Sequence, residues 1–180
     1  MRPNGPKPAL FSKKEGELSL SGPVLSDLLR EVLEKRVPIR FRVKGFSMSP
    51  FIKDGDMVTV SPFLNGQPHM GDVVTFTNPK TKRLIMHRVV GKRGDSYLIR
   101  ADSAIETDGQ IPMKNIIGRV TKVERNGKRI ILGLGPERLL IAFLIRRGLL
   151  FPLLPIVWKI IHPLFYLRPF AFLKILLIGK

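Results

Sequence analysis

Short β-forming runs separated by turn signals recur between residues 39 and 134, and this feature limits the fold most strongly. Apolar and basic side chains alternate at residues 39–44, as in a half-buried strand. Further runs follow at 57–60, 73–77, 84–90, 97–100, 116–123 and 130–134. Asn126-Gly127 between the last two is typical of a two-residue hairpin turn. Seven strands at hairpin spacing predict a mainly β domain.

One amphipathic helix is predicted before these strands, over residues 22–35. Pro23 suits a first helical turn. Apolar residues recur at helical spacing: Val24, Leu25, Leu28, Leu29, Val32 and Leu33. We expect this face to pack on the β domain, so that residues 21–135 form one unit. Residues 1–20 are rich in Pro, Gly and Lys, contain no apolar run of signal-peptide length, and predict a flexible basic arm.

The composition changes at residue 136, and residues 136–180 predict an apolar, basic and helical tail. Residues 148–167 carry one charge, Lys159, and would be long enough to cross a bilayer. Three prolines interrupt them, at 152, 155 and 163. Broken apolar helices with basic residues, Trp158 and Tyr166 favour a tail that lies in the membrane interface over one that spans the membrane.

Charge and composition exclude several classes of site. The net charge of +17 suits an anionic membrane surface or nucleic acid about equally. The chain has no cysteine, so it has no disulfide and no thiolate nucleophile. Its three histidines show no metal-ligand spacing, and no phosphate-binding or dinucleotide motif occurs. We therefore predict neither a metal nor a cofactor.

A serine ends the first predicted strand. Ser47 follows a Gly-Phe pair, and Met-Ser-Pro then turns the chain. Two interpretations are open: an ordinary β-turn, or a turn that presents the hydroxyl. A serine hydroxyl is a weak nucleophile until a base takes its proton, so the second interpretation requires a base.

Histidine and aspartate side chains are available as partners for this serine. His69 lies in a Gly/Pro-rich loop and His162 in the tail, whereas His87 lies inside a predicted strand. Asp102 and Asp108 follow, in what reads as an irregular loop. Serine, histidine and aspartate together supply a nucleophile, a base and an orienting carboxylate. Their spacing alone does not establish that they meet.

Five segments, in this order, resemble the type I signal peptidase family. They are GFSMSP at 45–50 followed by Gly55-Asp56, GDVVTF at 71–76, HRVVG at 87–91, the acids Asp102 and Asp108, and IGRV at 117–120. The histidine in the third segment is similar to the archaeal and endoplasmic-reticulum type, whereas most bacterial members carry lysine there. The resemblance implies a signal-peptidase-like β-barrel or sandwich domain.

The resemblance also implies roles for four residues. Ser47 would attack the peptide carbonyl, and His87 would take its proton and later protonate the leaving amine. Asp108 is the first choice to orient His87, and Asp102 would support the same loop. Backbone N–H groups near Ser47 would bind the oxyanion, because Gly45 stands where some members carry an additional hydroxyl.

For the substrate, the resemblance implies an extended peptide that lies beside residues 40–46 and 84–86. The predicted substrate-binding residues are Phe46, Met48, Leu84, Ile85 and Met86. The predicted function is a membrane-associated serine endopeptidase that removes signal- or leader-type peptides. Its partners would be a precursor polypeptide and, through the tail, membrane lipid.

Two departures from the family bear on location and role. The family's N-terminal anchor is missing from the sequence, which favours the cytoplasmic face of the membrane. Ala101-Asp102-Ser103 replaces the family's Gly-Asp-Asn. An inactive peptidase-like β module that binds membrane or protein is therefore kept as the alternative. A second alternative is a self-cleaving repressor, which would use a lysine base and carry a DNA-binding domain; the histidine at position 87 and the lack of room for a helix-turn-helix count against it. Aromatic residues make up only 8% of the chain, so specific binding of nucleic acid is not expected.

Overall fold

The computed structural model describes residues 13–14, 17–18, 22–63, 66–153, 155 and 159. In this part of the chain, the α-helices are α1 (Gly22–Glu34) and α2 (Arg138–Arg147), and residues 150–153, 155 and 159 are also helical. Its strands are β1 (Lys13–Lys14), β2 (Glu17–Leu18), β3 (Ile39–Arg42), β4 (Met57–Ser61), β5 (Val73–Thr77), β6 (Leu84–Arg93), β7 (Ser96–Arg100), β8 (Thr107–Pro112), β9 (Ile116–Arg125) and β10 (Lys128–Ile130). The predicted mainly β architecture with few helices is confirmed.

The main sheet is antiparallel, with the strand order β3-β4-β9-β5-β6-β7-β8 and with β10 paired to β9. No pairing joins β3 to β8 within the described residues, so strand pairing does not close the expected barrel. The end strands are poorly suited to a further pairing, because β3 has four residues and β8 contains a glycine and a proline. The described part of the predicted arm forms the β1–β2 pair.

The predicted hairpin at Asn126-Gly127 is confirmed. Both residues have positive φ, 51° and 74°, and Lys128 pairs directly with Arg125. Type I′ turns need this conformation at both central positions, and asparagine and glycine tolerate it best. The turn therefore fixes the register of β9 against β10.

Other strand bounds differ from the predicted ones by at most three residues, but the predictions for residues 107–112 and 130–134 are wrong. Residues 107–112, expected as an irregular loop, form strand β8, because pairing with β7 supplies backbone hydrogen bonds that the weak β-propensity of TDGQIP does not reveal. The last strand covers Lys128–Ile130 and not residues 130–134. Residues 132–134 form a turn in which Gly133 has a φ of 97°, and a Cβ at this position would lie 2.9 Å from Phe51 Cβ, so glycine is favoured where the strand has ended.

Both helices pack on the sheet, and each contributes to one of its buried clusters. Leu29 and Leu33 of α1 join the largest cluster, which contains Met48, Ile52, Val58, Val60, Val73, Val120 and Val123. Leu28, on the predicted apolar face, is 38% exposed. Helix α2 buries Ile141, Ala142 and Ile145 against Phe51, Val90 and Leu150. Helix α2 therefore packs directly on the turn that follows Ser47.

Most of the predicted tail lies outside the described residues, including Trp158 and Tyr166. Helix α2 ends at Gly148, whose φ of 70° and N–H bond to the Ile145 carbonyl are typical of a helix C-terminus. None of the described helices is both long and apolar enough to cross a bilayer.

Candidate active site

Ser47 lies in an exposed turn between β3 and β4. The side chains on either side of it differ sharply: Phe46 is 71% exposed and Met48 is 5% exposed. Hydrogen bonds hold the base of the turn, from Val43 N–H to the Asp56 carbonyl at 2.9 Å and from Gly45 N–H to Asp54 Oδ1 at 2.7 Å. The turn is thus anchored on both strands and presents the serine to solvent.

Two backbone N–H groups at this turn are candidates for binding an anion. In the part of the chain that the structure describes, the N–H groups of Ser47 and Met48 have no hydrogen-bond acceptor. Gly45 has a φ of 106°, which strains any other residue, so a side-chain hydroxyl would be disfavoured there. Oxyanion stabilisation at this turn would therefore come from the backbone.

His87 and Asp108 are in direct contact. His87 Nδ1 lies 2.6 Å from Asp108 Oδ2, and the two side chains are 11% and 17% exposed. The Phe76 ring packs beside the imidazole, with centroids 6.3 Å apart. In the neutral imidazole, a proton on Nδ1 that is donated to Asp108 leaves Nε2 as the acceptor. This arrangement suits a base whose orientation and tautomer are fixed.

Asp102 binds the residue next to His87. Its two oxygens accept hydrogen bonds from Arg88 Nε at 2.8 Å and Nη2 at 2.7 Å, and both side chains are fully buried. Burial raises the pKa of the Asp102 carboxyl, while the hydrogen bonds and charge of Arg88 act to lower it. Arg88 Nη1 also donates to the carbonyls of Gly71 and Gly133. This network fixes strand β6 immediately beside the imidazole.

Ser103 connects this network to the serine turn. Its backbone N–H and its hydroxyl each donate to the Ser47 carbonyl at 2.9 Å. Because Ser103 follows Asp102 and Asp102 binds Arg88, a short path of contacts runs from the Ser47 turn to the strand of His87. Of the four predicted catalytic residues, the structure pairs His87 with Asp108 and links Ser47 to Asp102 through Ser103.

The predicted substrate-binding residues differ in exposure. Phe46 is exposed, and Leu84, Ile85 and Met86 are half-buried on β6. Met48 is packed in the largest buried cluster, so its side chain supports the turn from inside instead of lining the surface.

Sequence reasoning missed the structural roles of Arg88 and Ser103. Arg88 gave one usable signal, since a charged residue inside an apolar strand must find a buried partner. Ser103 gave none, because a serine after an aspartate is common in loops. The described residues contain no group of three or more His, Cys, Asp or Glu side chains arranged to hold a metal ion.

Residues 23–121 match the family model described as Peptidase S24-like. The chain belongs to the Peptidase S24-like family. The matched residues include Ser47, His87, Asp102 and Asp108, whereas α2 lies beyond them. This family member is also 29% identical to signal peptidase I U of Bacillus subtilis (strain 168) over 73 residues, which are 39% of each chain. The chain therefore matches less than half of the length of this curated relative.

Proposed function

We propose that this S24-like chain is a serine endopeptidase that removes signal- or leader-type peptides from precursor proteins. The observation that carries the proposal is the 2.6 Å contact between His87 Nδ1 and Asp108 Oδ2, on a strand tied to the Ser47 turn through Ser103. The family match and the similarity to a signal peptidase support a serine peptidase. A histidine base, as in the archaeal and endoplasmic-reticulum type, is part of the proposal.

In this mechanism, the Ser47 hydroxyl attacks the peptide carbonyl while His87 Nε2 takes its proton. Asp108 stabilises the imidazolium that forms. The free N–H groups of Ser47 and Met48 donate to the oxyanion. His87 then gives its proton to the leaving amine, and water, activated in the same way, hydrolyses the acyl-enzyme.

Two strand edges support an extended substrate. In the described part of the chain, β3 is paired with β4 and residues 84–87 of β6 are paired with β5, because the pairing of β6 with β7 begins at Arg88. Phe41 of β3 and Met86 of β6 pack against the same buried cluster. A peptide strand would bind beside these edges, with its scissile bond at the turn after β3 where Ser47 lies.

The membrane part of the proposal rests on the surface around α2. Seven of the eleven exposed large apolar side chains in the described residues lie between 131 and 151: Ile131, Leu132, Leu139, Leu140, Phe143, Leu149 and Phe151. Arg138, Arg146 and Arg147 flank them, and the Glu137 carboxylate accepts the N–H groups of Gly133 and Gly135. An apolar surface with a basic rim matches anionic lipid, and we propose that it docks there.

Activity is tested by comparing protein N-termini by mass spectrometry in host cells that lack the gene. The cells express the wild type, Ser47→Ala, His87→Ala or the matched control Ser49→Ala, which changes the next serine of the same turn. We expect new N-termini with the wild type and with Ser49→Ala only. Two results would contradict the proposal: the new N-termini also appear with Ser47→Ala, or no N-terminus depends on the wild type. Either result would favour an inactive peptidase-like module.

Membrane docking is tested with the purified full chain and vesicles of neutral or anionic lipid. We expect binding to anionic vesicles that falls severalfold in Leu140→Glu and less in Ile105→Glu. Ile105 is 85% exposed and is not one of the seven apolar side chains between 131 and 151, so it controls for the added charge. Equal binding of both variants would contradict docking through this surface.

A further inference from the structure

Arg100 is a buried cation that has no carboxylate partner in the described residues. It is the last residue of β7 and is 7% exposed. Its Nε donates to the Ala104 carbonyl at 2.8 Å, and its Nη1 donates to the Ile145 carbonyl at 2.7 Å. Burying a guanidinium without a counter-ion is costly, so its two carbonyl partners must compensate the loss of hydration.

One partner is the C-terminal end of α2. Ile145 lies in the last turn of this helix, where the carbonyl groups carry a partial negative charge, and its carbonyl accepts the Gly148 N–H as well as Arg100. A cation at this end is favourable, and Arg100 supplies it from the sheet. Ile145 itself is 2% exposed, so the contact joins two buried parts of the molecule.

The other partner belongs to the loop that reaches the catalytic residues. Residues 101–104 include Asp102, which binds Arg88, and Ser103, which donates twice to the Ser47 carbonyl. Arg100 binds the carbonyl of Ala104, the residue after Ser103. Arg100 therefore spans from this loop to α2, with one hydrogen bond to each.

We propose that Arg100 is a positioning residue that braces loop 101–104 against the end of α2 and thereby holds the Ser47 turn for catalysis. The inference rests on the proposed function. The brace uses a helix that lies outside the family match at residues 23–121. Phe51 packs against the same helix and forms a second, apolar contact between α2 and the serine turn.

The kinetic test compares Arg100→Gln, Arg100→Lys and the control Arg93→Gln, which removes an exposed arginine from the end of β6. For a peptide substrate found by the N-terminal comparison, we expect Arg100→Gln to lower kcat roughly ten- to hundredfold, since small displacements of catalytic groups have such effects. KM should change less than about threefold, because the Arg100 side chain is buried and binds the Ala104 and Ile145 carbonyls, outside the proposed substrate-binding residues 40–46 and 84–86. Lysine, which can reach one carbonyl, should recover part of kcat.

Hydrogen–deuterium exchange gives a readout that does not depend on activity. In Arg100→Gln we expect faster exchange at residues 101–105 and 145–149 and unchanged exchange in β4 and β5. A wild-type protein that cleaves no peptide would overturn the proposed function. Hydrogen–deuterium exchange would still test whether Arg100 holds loop 101–104 against α2. If Arg100→Gln shows unchanged exchange at both segments, or the kcat of the wild type, the positioning role of Arg100 is overturned. If Arg100→Gln does not fold, Arg100→Lys decides by the same criteria.

Discussion

Arg88 and Asp102 form an ion pair with two hydrogen bonds, and neither side chain has any exposed surface. The pair joins the strand of His87, which contains Arg88, to the loop of Asp102 that binds the Ser47 turn. Its charges are compensated within the protein, since Arg88 also donates to two backbone carbonyls. It is therefore a structural element of the site whose loss would affect stability and geometry together.

Removing one charge of this pair should be strongly destabilising. Asp102→Asn leaves the buried guanidinium of Arg88 without its counter-ion, and we expect a loss of about 3–5 kcal/mol in the free energy of unfolding. Urea unfolding followed by circular dichroism measures this loss. Asp95→Asn, an exposed aspartate in the β6–β7 turn, is the control and should change stability little. A loss below about 1 kcal/mol for Asp102→Asn would contradict a structural role of the pair.

Asp108→Asn should lower kcat by roughly 10²–10⁴-fold with a small change in KM. An amide at this position can hold the wrong histidine tautomer and cannot stabilise the imidazolium. The measurement is kcat and KM for a peptide substrate across pH. Glu106→Gln, which neutralises a nearby exposed carboxylate, should behave as the wild type. An Asp108→Asn enzyme with near-wild-type kcat would exclude Asp108 as the orienting group.

Asp56 should make the stability depend on pH. Burial raises its pKa, but hydrogen bonds from Arg125 and from Lys53 N–H outweigh burial, so the pKa is below its ordinary value. A lowered pKa in the folded state contributes stability above the unfolded pKa of about 3.9, and this contribution is lost as pH falls through the folded value. We expect Asp56→Asn to cost about 1–3 kcal/mol at pH 7 and much less near pH 2.

The measurement is urea unfolding of both proteins at each pH. A cost that stays the same at low pH would show that packing, and not the ionised carboxylate, stabilises the turn.

Thr75→Val should stabilise the protein. Thr75 is fully buried, and its hydroxyl is the one buried side-chain polar group in the described residues that has no hydrogen-bond partner. Valine has nearly the same shape and removes the cost of burying the hydroxyl, so we expect a gain of about 1 kcal/mol. Thr75→Ser, which keeps the hydroxyl and removes a methyl group, should instead destabilise. Thermal unfolding of the three proteins ranks them, and a valine variant less stable than the wild type would be the contrary result.

The sequence predicted the local elements well where periodicity and turn chemistry agreed. Strand β5 was predicted with its observed bounds, and the Asn126-Gly127 pair predicted the turn that joins β9 to β10. Strand β8 was missed because TDGQIP has neither alternation nor β-branched enrichment, and its strand form depends on pairing with β7. The sequence also named Ser47, His87, Asp102 and Asp108 as candidates, and their catalytic roles stay a prediction.

By itself the sequence determined the strand-rich domain, the leading helix and the residue types available for proton transfer, because these follow from local periodicity and side-chain chemistry. Only the tertiary structure decided which acid meets which base. Asp108 contacts His87, whereas Asp102 binds Arg88, although both acids lie in one short segment. The reason is that β8 pairs with β7 while residues 101–104 turn toward the serine, and such long-range pairing leaves no mark on the spacing of two aspartates.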